Sequence, residues 1–191
     1  MNRFLKVIQL HKNETQLIKR AIKNQREAQR ILFEIHSPKM LSVCRYYVKD
    51  MMQAEEVMLS GFLKVFQKLE TFQFGGSFEG WIRRIMVRTC LDHLRKKQPF
   101  EVAIDEVTSN EQLQVDAISN LDVAEIQKLI DTLPDGYKAV FIMYAIEGYK
   151  HNEIAAALNI TEGTSKSQLY KARKMLQAQV QQLNRKHNGT S

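Results

Sequence analysis

The sequence is poor in the residues that most covalent chemistry needs. Its 191 residues include two cysteines, Cys44 and Cys90, far apart and without companions. That excludes a thiolate metal cage or a disulfide framework. Both cysteines sit in helical patterns, where a small buried thiol behaves as an apolar side chain. The five histidines, His11, His36, His93, His151 and His187, share no ligand spacing. The glycine pair Gly75-Gly76 lacks the following Lys-Ser/Thr of a phosphate-cradling loop. Neither clustered carboxylates nor a nucleophile–base pair is found, so an enzyme such as a nuclease or phosphotransferase is disfavoured and no cofactor is expected. No run approaches the ~18 uncharged apolar residues of a membrane span. The opening MNRFLKVIQLHKNE has Lys6 inside its apolar run and no small-residue cleavage site, so no signal peptide is read and a cytoplasmic protein is expected. Strand-like alternation is missing as well, which leaves an all-α chain.

What is present is helix and positive charge. The hydrophobic content of 44% and charged content of 26% are those of a globular protein. Its 28 Lys+Arg against 21 Asp+Glu give a net charge of +7, which favours a polyanionic partner. The charge is unevenly spread. Residues 1–98 hold 19 bases and 9 acids, residues 99–120 hold 5 acids and no base, and residues 121–191 hold 9 bases and 7 acids. The middle stretch starts at Pro99 and has no sustained period, so it reads as an acidic linker between two small helical domains.

Helical spacing runs through the first block. Ile18 and Ile22, then Ala28, Ile31, Leu32 and Ile35, recur at three and four residues. Ser37-Pro38 is expected to interrupt the pattern, because proline disfavours helix in the residue before it. Helices are then expected near Lys39–Lys49, Met51–Leu69 and, after the break ETFQFGGSFEG, Phe78–Lys97. In the second block they are expected near Leu121–Leu133, Tyr137–Glu147, Asn152–Leu158 and Thr161–Leu183.

Two of these helices show two faces. At 100° per residue, Leu169, Ala172, Leu176, Val180 and Leu183 fall on one side of the last helix. Thr164, Ser167, Lys171 and Lys174 lie opposite, flanked by Gln168 and Tyr170. A short alanine-rich helix, a turn at Asn159-Ile160 and Thr161 placed as N-cap precede it. This is the helix-turn-helix pattern, with small residues that let a helix N-terminus approach phosphates and base edges. A generic αα-corner with a solvated basic face would look the same. The Phe78–Lys97 helix carries Arg84, Arg88 and Arg95 on one side, with Ile82, Met86, Cys90 and His93 opposite and Leu91 out of place among the arginines. It follows a loop holding Phe72, Phe74, Ser77 and Phe78, with Trp81 just beyond. Aromatics beside a basic helix suit single-stranded nucleic acid, where stacking contributes roughly 1–3 kcal/mol per base. The bland alternative places Phe78 and Trp81 in the core.

The order of these motifs is similar to a known family. AEEVMLSGFLKVFQKL followed by FQFGGSFEGWIRRIMVRTCLDHLRKK resembles the second region of bacterial RNA polymerase sigma factors. After the linker, LPDGYKAVFIMYAIEGYKHNEIAAALNITEGTSKSQLYKARKMLQ resembles their fourth region. With only these two regions, from about Asn13 to Leu183, the chain resembles the extracytoplasmic-function group. The resemblance implies a factor without bond chemistry that binds core RNA polymerase and promoter DNA. It also implies an anti-sigma factor partner, commonly membrane-bound. Glu55, Glu56, Leu59 and Phe62 would dock on the polymerase. Phe72, Phe74, Ser77, Arg84, Arg88 and Arg95 would capture the melted minus-ten strand. Thr164, Lys166, Ser167, Gln168, Tyr170, Lys171 and Lys174 would read the minus-thirty-five duplex. A linker of ~20 residues reaches at most ~70 Å, about two turns of duplex.

The chain departs from the family pattern at several places. Leu59-Ser60 stand where Gln and an acid are usual, and Arg88 where Asn is common. Ser165 replaces a usual buried Val and is expected to loosen the recognition helix. Gln168 replaces a usual Arg, exchanging a guanine or phosphate contact for one suited to adenine. Lys150 replaces a Ser cap, at about 1 kcal/mol. A conventional helix-turn-helix regulator acting without polymerase is the alternative, and it leaves the first block unexplained.

Overall fold

A computed structural model describes residues 14–97 and 123–188. The expected linker, residues 99–120, lies outside them. Every regular element among the described residues is helical, in keeping with the all-α expectation. None of these helices is long and apolar enough to cross a membrane. The chain divides into two compact units, Met1–His93 and Leu94–Ser191, the cut falling within the fourth helix.

The first unit contains α1 over residues 14–22, α2 (Arg26–Tyr47), α3 (Met51–Gln67), a 3₁₀ turn (Leu69–Thr71) and, up to His93, α4 (Phe78–Lys97). Pro38 does not interrupt α2, contrary to the sequence expectation. The buried stripe Ala28, Leu32, His36, Met40, Val43, Cys44 and Tyr47 keeps one helical register on both sides of it. Pro38 itself is exposed, where water can serve the carbonyl that loses its donor. Packing of a continuous face therefore outweighs the local preference of the residue before proline. Asp50 caps α3 by accepting from the Gln53 amide at 2.9 Å. Gly61 lies where α3 meets the buried Met86 of α4, and a Cβ at that position would overlap the Met86 sulfur. Cys44 and Cys90 are free and buried, as their helical setting predicts.

The second unit contains α5 (Val123–Asp131), α6 (Asp135–Phe141), a π-turn (Ile142–Ile146), α7 (His151–Leu158) and α8 (Glu162–Asn188). In the π-turn the Glu147 amide donates to the Ile142 carbonyl, five residues back, at 3.0 Å. Leu133, Ala172 and Leu176 form a core against which Leu129, Tyr137, Phe141 and Met175 pack.

Candidate nucleic-acid interface

The turn between α7 and α8 is built from local chemistry. Asn159 takes the left-handed conformation (φ 56°) at the end of α7, a conformation asparagine tolerates better than most residues. Thr161 then caps α8, its hydroxyl accepting from the Thr164 amide at 3.0 Å, as the sequence predicts. At the start of α7 the Lys150 amide donates to Glu153 Oε2 at 2.8 Å. The Glu half of a capping box thus compensates for the missing Ser side chain.

On α8, Lys166 and Lys174 are exposed, while Thr164, Tyr170 and Lys171 are half-buried. The Lys174 ammonium stands 4.8 Å from the centroid of the Tyr170 ring. Two residues are not where the helical wheel puts them. Ser167 is buried and donates to the Thr164 carbonyl at 3.0 Å. Gln168 is 2% exposed, its side-chain amide lying over Gly136 at the start of α6. The reason is that α8 packs on both α6 and α7, which widens its covered arc beyond the apolar stripe. Leu169, Ala172, Leu176 and Val180 are buried as expected, and Leu183 is half-buried.

Ser165 is buried as well, and its hydroxyl lies 2.9 Å from His151 Nδ1 on α7. The His151 ring stacks on Tyr144 of the π-turn at 4.7 Å and 24°. The Arg173 guanidinium stands 5.5 Å from the Tyr144 ring centroid. Burial pushes the His151 pKa down, reinforced by Lys166 and Arg173 and opposed by Glu162. Neither His151 nor Tyr144 is singled out by sequence spacing. Only the hydroxyl at a customarily apolar position, Ser165, signals that a polar partner is near.

In the first unit the aromatic loop is mostly interior. Phe72 and Phe78 are buried and Trp81 is half-buried, with Phe72 touching Phe78 at 5.1 Å and Trp81 at 5.5 Å between centroids. Phe72 is therefore a floor residue and not a stacking platform. Phe74, 41% exposed, projects from it at 5.0 Å, on a backbone of φ 54° that non-glycine residues rarely adopt. Ser77 is exposed, but its hydroxyl accepts from the Gly80 amide at 3.2 Å and so caps α4. Arg84, Arg88 and Arg95 are all exposed along α4. Ile82, Met86 and Cys90 are buried and His93 is half-buried. Leu91, which the wheel sets among the arginines, is also buried, since α4 is covered over a wider arc than its apolar stripe suggests.

On α3, Glu55, Glu56 and Leu59 are exposed. Phe62 is not available for docking: it is 3% exposed and packs against Phe33 at 4.7 Å and Phe66 at 6.1 Å. Sequence reasoning missed Met52 and Leu63, which are 73% and 60% exposed and share a face with Glu56 and Leu59 at helical spacing. Ile35 of α2, which its spacing assigns to the core, is also exposed.

Residues 32–100 match sigma-70 region 2, and residues 124–176 match sigma-70 region 4. The chain is 27% identical over 179 residues to the ECF RNA polymerase sigma factor SigW of Bacillus subtilis, covering 87% of this chain and 96% of that one. It is 29% identical over 134 residues to RNA polymerase sigma factor SigV of the same organism, covering 70% and 80%. Its fold is similar to that of the sigma factor RpoE from Bartonella quintana, solved with the anti-sigma factor NepR. There the TM-score is 0.53 at 19% identity, over 82% of this chain and 98% of that one.

Proposed function

The chain belongs to the extracytoplasmic-function group of RNA polymerase sigma factors, and we propose that its two units divide the promoter between them. It binds core RNA polymerase and directs initiation at particular promoters, acting in the cytoplasm and making or breaking no covalent bond itself. The observation that carries this reading is the presence of both sigma regions, in order, on one chain. The first unit takes the minus-ten strand once it has parted, and the second takes the minus-thirty-five element while it is paired. Preferring the unpaired strand shifts the duplex towards its open form.

Full or partial exposure supports the following residue roles. Phe74 offers a base its ring, and Arg84, Arg88 and Arg95 track the backbone of the opened strand. Thr164, Lys166, Tyr170, Lys171 and Lys174 face the duplex, with Lys166, Lys171 and Lys174 supplying phosphate contacts. Ser77, Ser167 and Gln168 hold these surfaces in shape. The polymerase-docking face is Met52, Glu55, Glu56, Leu59 and Leu63, a mixed apolar and acidic surface. An anti-sigma factor that covers this face would keep the protein from polymerase, and membership of the family supports such a partner.

The test is reconstitution. Core RNA polymerase and this protein are mixed, bound promoters are selected from random DNA, and transcripts are mapped. Initiation from a selected promoter that neither component recognises alone is the expected result. Tight duplex binding by the protein alone, with polymerase left inert, would instead make it a helix-turn-helix regulator.

A further inference from the structure

The resemblance assigns the melted strand to the aromatic loop and to α4. The structure adds a third element beside them. Lys19 of α1 is exposed, and its ammonium stands 5.9 Å from the centroid of the Phe74 ring, within reach of a cation–π contact. Arg20, its neighbour, is turned back onto Gln25 Oε1 at 2.7 Å. Lys23, in the turn just past α1, is exposed as well. Next to Phe74 the chain leaves room: a Cβ on either Gly75 or Gly76 would meet no heavy atom within 4 Å. Packing therefore does not require the glycine pair, and the loop is uncrowded at the two positions that follow the 41% exposed ring.

We propose that Lys19 is a further nucleic-acid contact, holding the phosphate of the nucleotide whose base lies on Phe74. This rests on the single-strand reading of the first unit and extends its surface to α1. Three observations support it. The exposed ammonium stands 5.9 Å from the ring centroid, within reach of the backbone of a nucleotide stacked there. The ring and the cation belong to different elements, so the contact also ties the loop to α1. And a base on an aromatic with a cation at its backbone is the arrangement that favours an unpaired strand over a duplex.

The experiment uses the holoenzyme on a fork template made from a promoter selected as above, with the minus-ten segment of one strand unpaired. Lys19→Ala is expected to lower affinity for the fork about fivefold to tenfold, and to reduce the salt slope by about 0.7. Lys19→Arg should retain most of the binding. Binding of the intact upstream duplex should be unchanged, and unfolding should occur at the wild-type temperature. A scan with neutral methylphosphonate linkages should find one position at which the Lys19→Ala loss disappears. Loss of fork binding in Phe74→Ala together with wild-type behaviour of Lys19→Ala would overturn the proposal and leave the single-strand reading intact. Equal loss on fork and intact duplex, or no suppressing linkage, would also overturn it. If Phe74→Ala and Arg88→Ala were both silent on the fork, the single-strand reading itself would fail.

Discussion

His151 Nδ1 and Ser165 Oγ meet at 2.9 Å across the angle between α7 and α8, with Ser165 wholly buried. A hydroxyl at a position that usually holds valine was expected to loosen the recognition helix. Here it has a partner, and a buried polar pair that is satisfied fixes geometry instead of weakening it. Ser165→Ala would leave a partly buried imidazole nitrogen without this bond. The expected loss is about 1–3 kcal/mol in the unfolding of the second unit, read by urea titration. Ser165→Val combined with His151→Phe replaces both polar groups and should recover much of that loss. A neutral Ser165→Ala would show that the contact contributes nothing.

Acid should weaken this protein before it weakens most carboxylate-stabilised folds. His151 is held below the ordinary imidazole value of about 6.5, by burial and then by Lys166 and Arg173 against Glu162. His36 is lowered too, by burial, against the opposing pull of Glu14, whose Oε1 lies 3.2 Å from Nε2, and of Glu79. A depressed imidazole pKa means that the unfolded chain binds more protons than the folded one between the two values. Stability from both sites is therefore complete above about pH 6.5 and falls as pH drops below it. Urea midpoints measured between pH 7.5 and pH 5 should decline. His151→Gln should flatten part of that decline, with His36 accounting for the remainder.

The two halves of the α8 surface should separate in assay. Lys171→Ala should weaken binding to the upstream duplex roughly equally across sequences and reduce the salt slope by about 0.9. Gln168→Ala should instead lower the unfolding temperature, since Gln168 is buried against Gly136. Base preference would then change little. A changed preference at one base pair with unaltered stability would return Gln168 to the DNA surface.

Exposed apolar side chains on α3 make a further prediction. Leu59→Glu with Leu63→Glu should abolish co-purification with core polymerase while leaving the unfolding temperature close to wild type, because both residues are more than half exposed. Phe62→Ala should do the reverse in part. It removes a core ring and is expected to cost about 3–5 kcal/mol of stability. Retained polymerase binding in the double glutamate variant would remove this face from the docking surface.

Much of the molecule is legible in its sequence. Periodicity places most of the helices, Thr161 announces its cap, and the apolar stripe from Leu169 to Val180 marks the core. The failures share a physical origin. A helical wheel assigns a residue to inside or outside by its chemistry and angle. The angle covered by neighbours, however, depends on how many helices pack there. Gln168 and Ser167 fall in an arc that a second neighbour of α8 covers, Leu91 is buried beyond the apolar stripe of α4, and Leu63 and Met52 stay exposed. Phe72 and Phe74 show the same limit within a loop: two residues of one type, two apart, one in the floor and one in solvent. Pro38 marks another, since a local preference lost to a long buried face on either side.

The π-turn at Ile142–Ile146 holds one amino acid more than an ordinary helical path would use. That surplus makes this place the natural site for a change of chain length. Deleting a single residue there could close the loop of backbone into regular helix without unwinding either side. The flanking segments would keep their facing, because the residue removed is the surplus one, while the tyrosine inside the turn would shift off the imidazole it rests on.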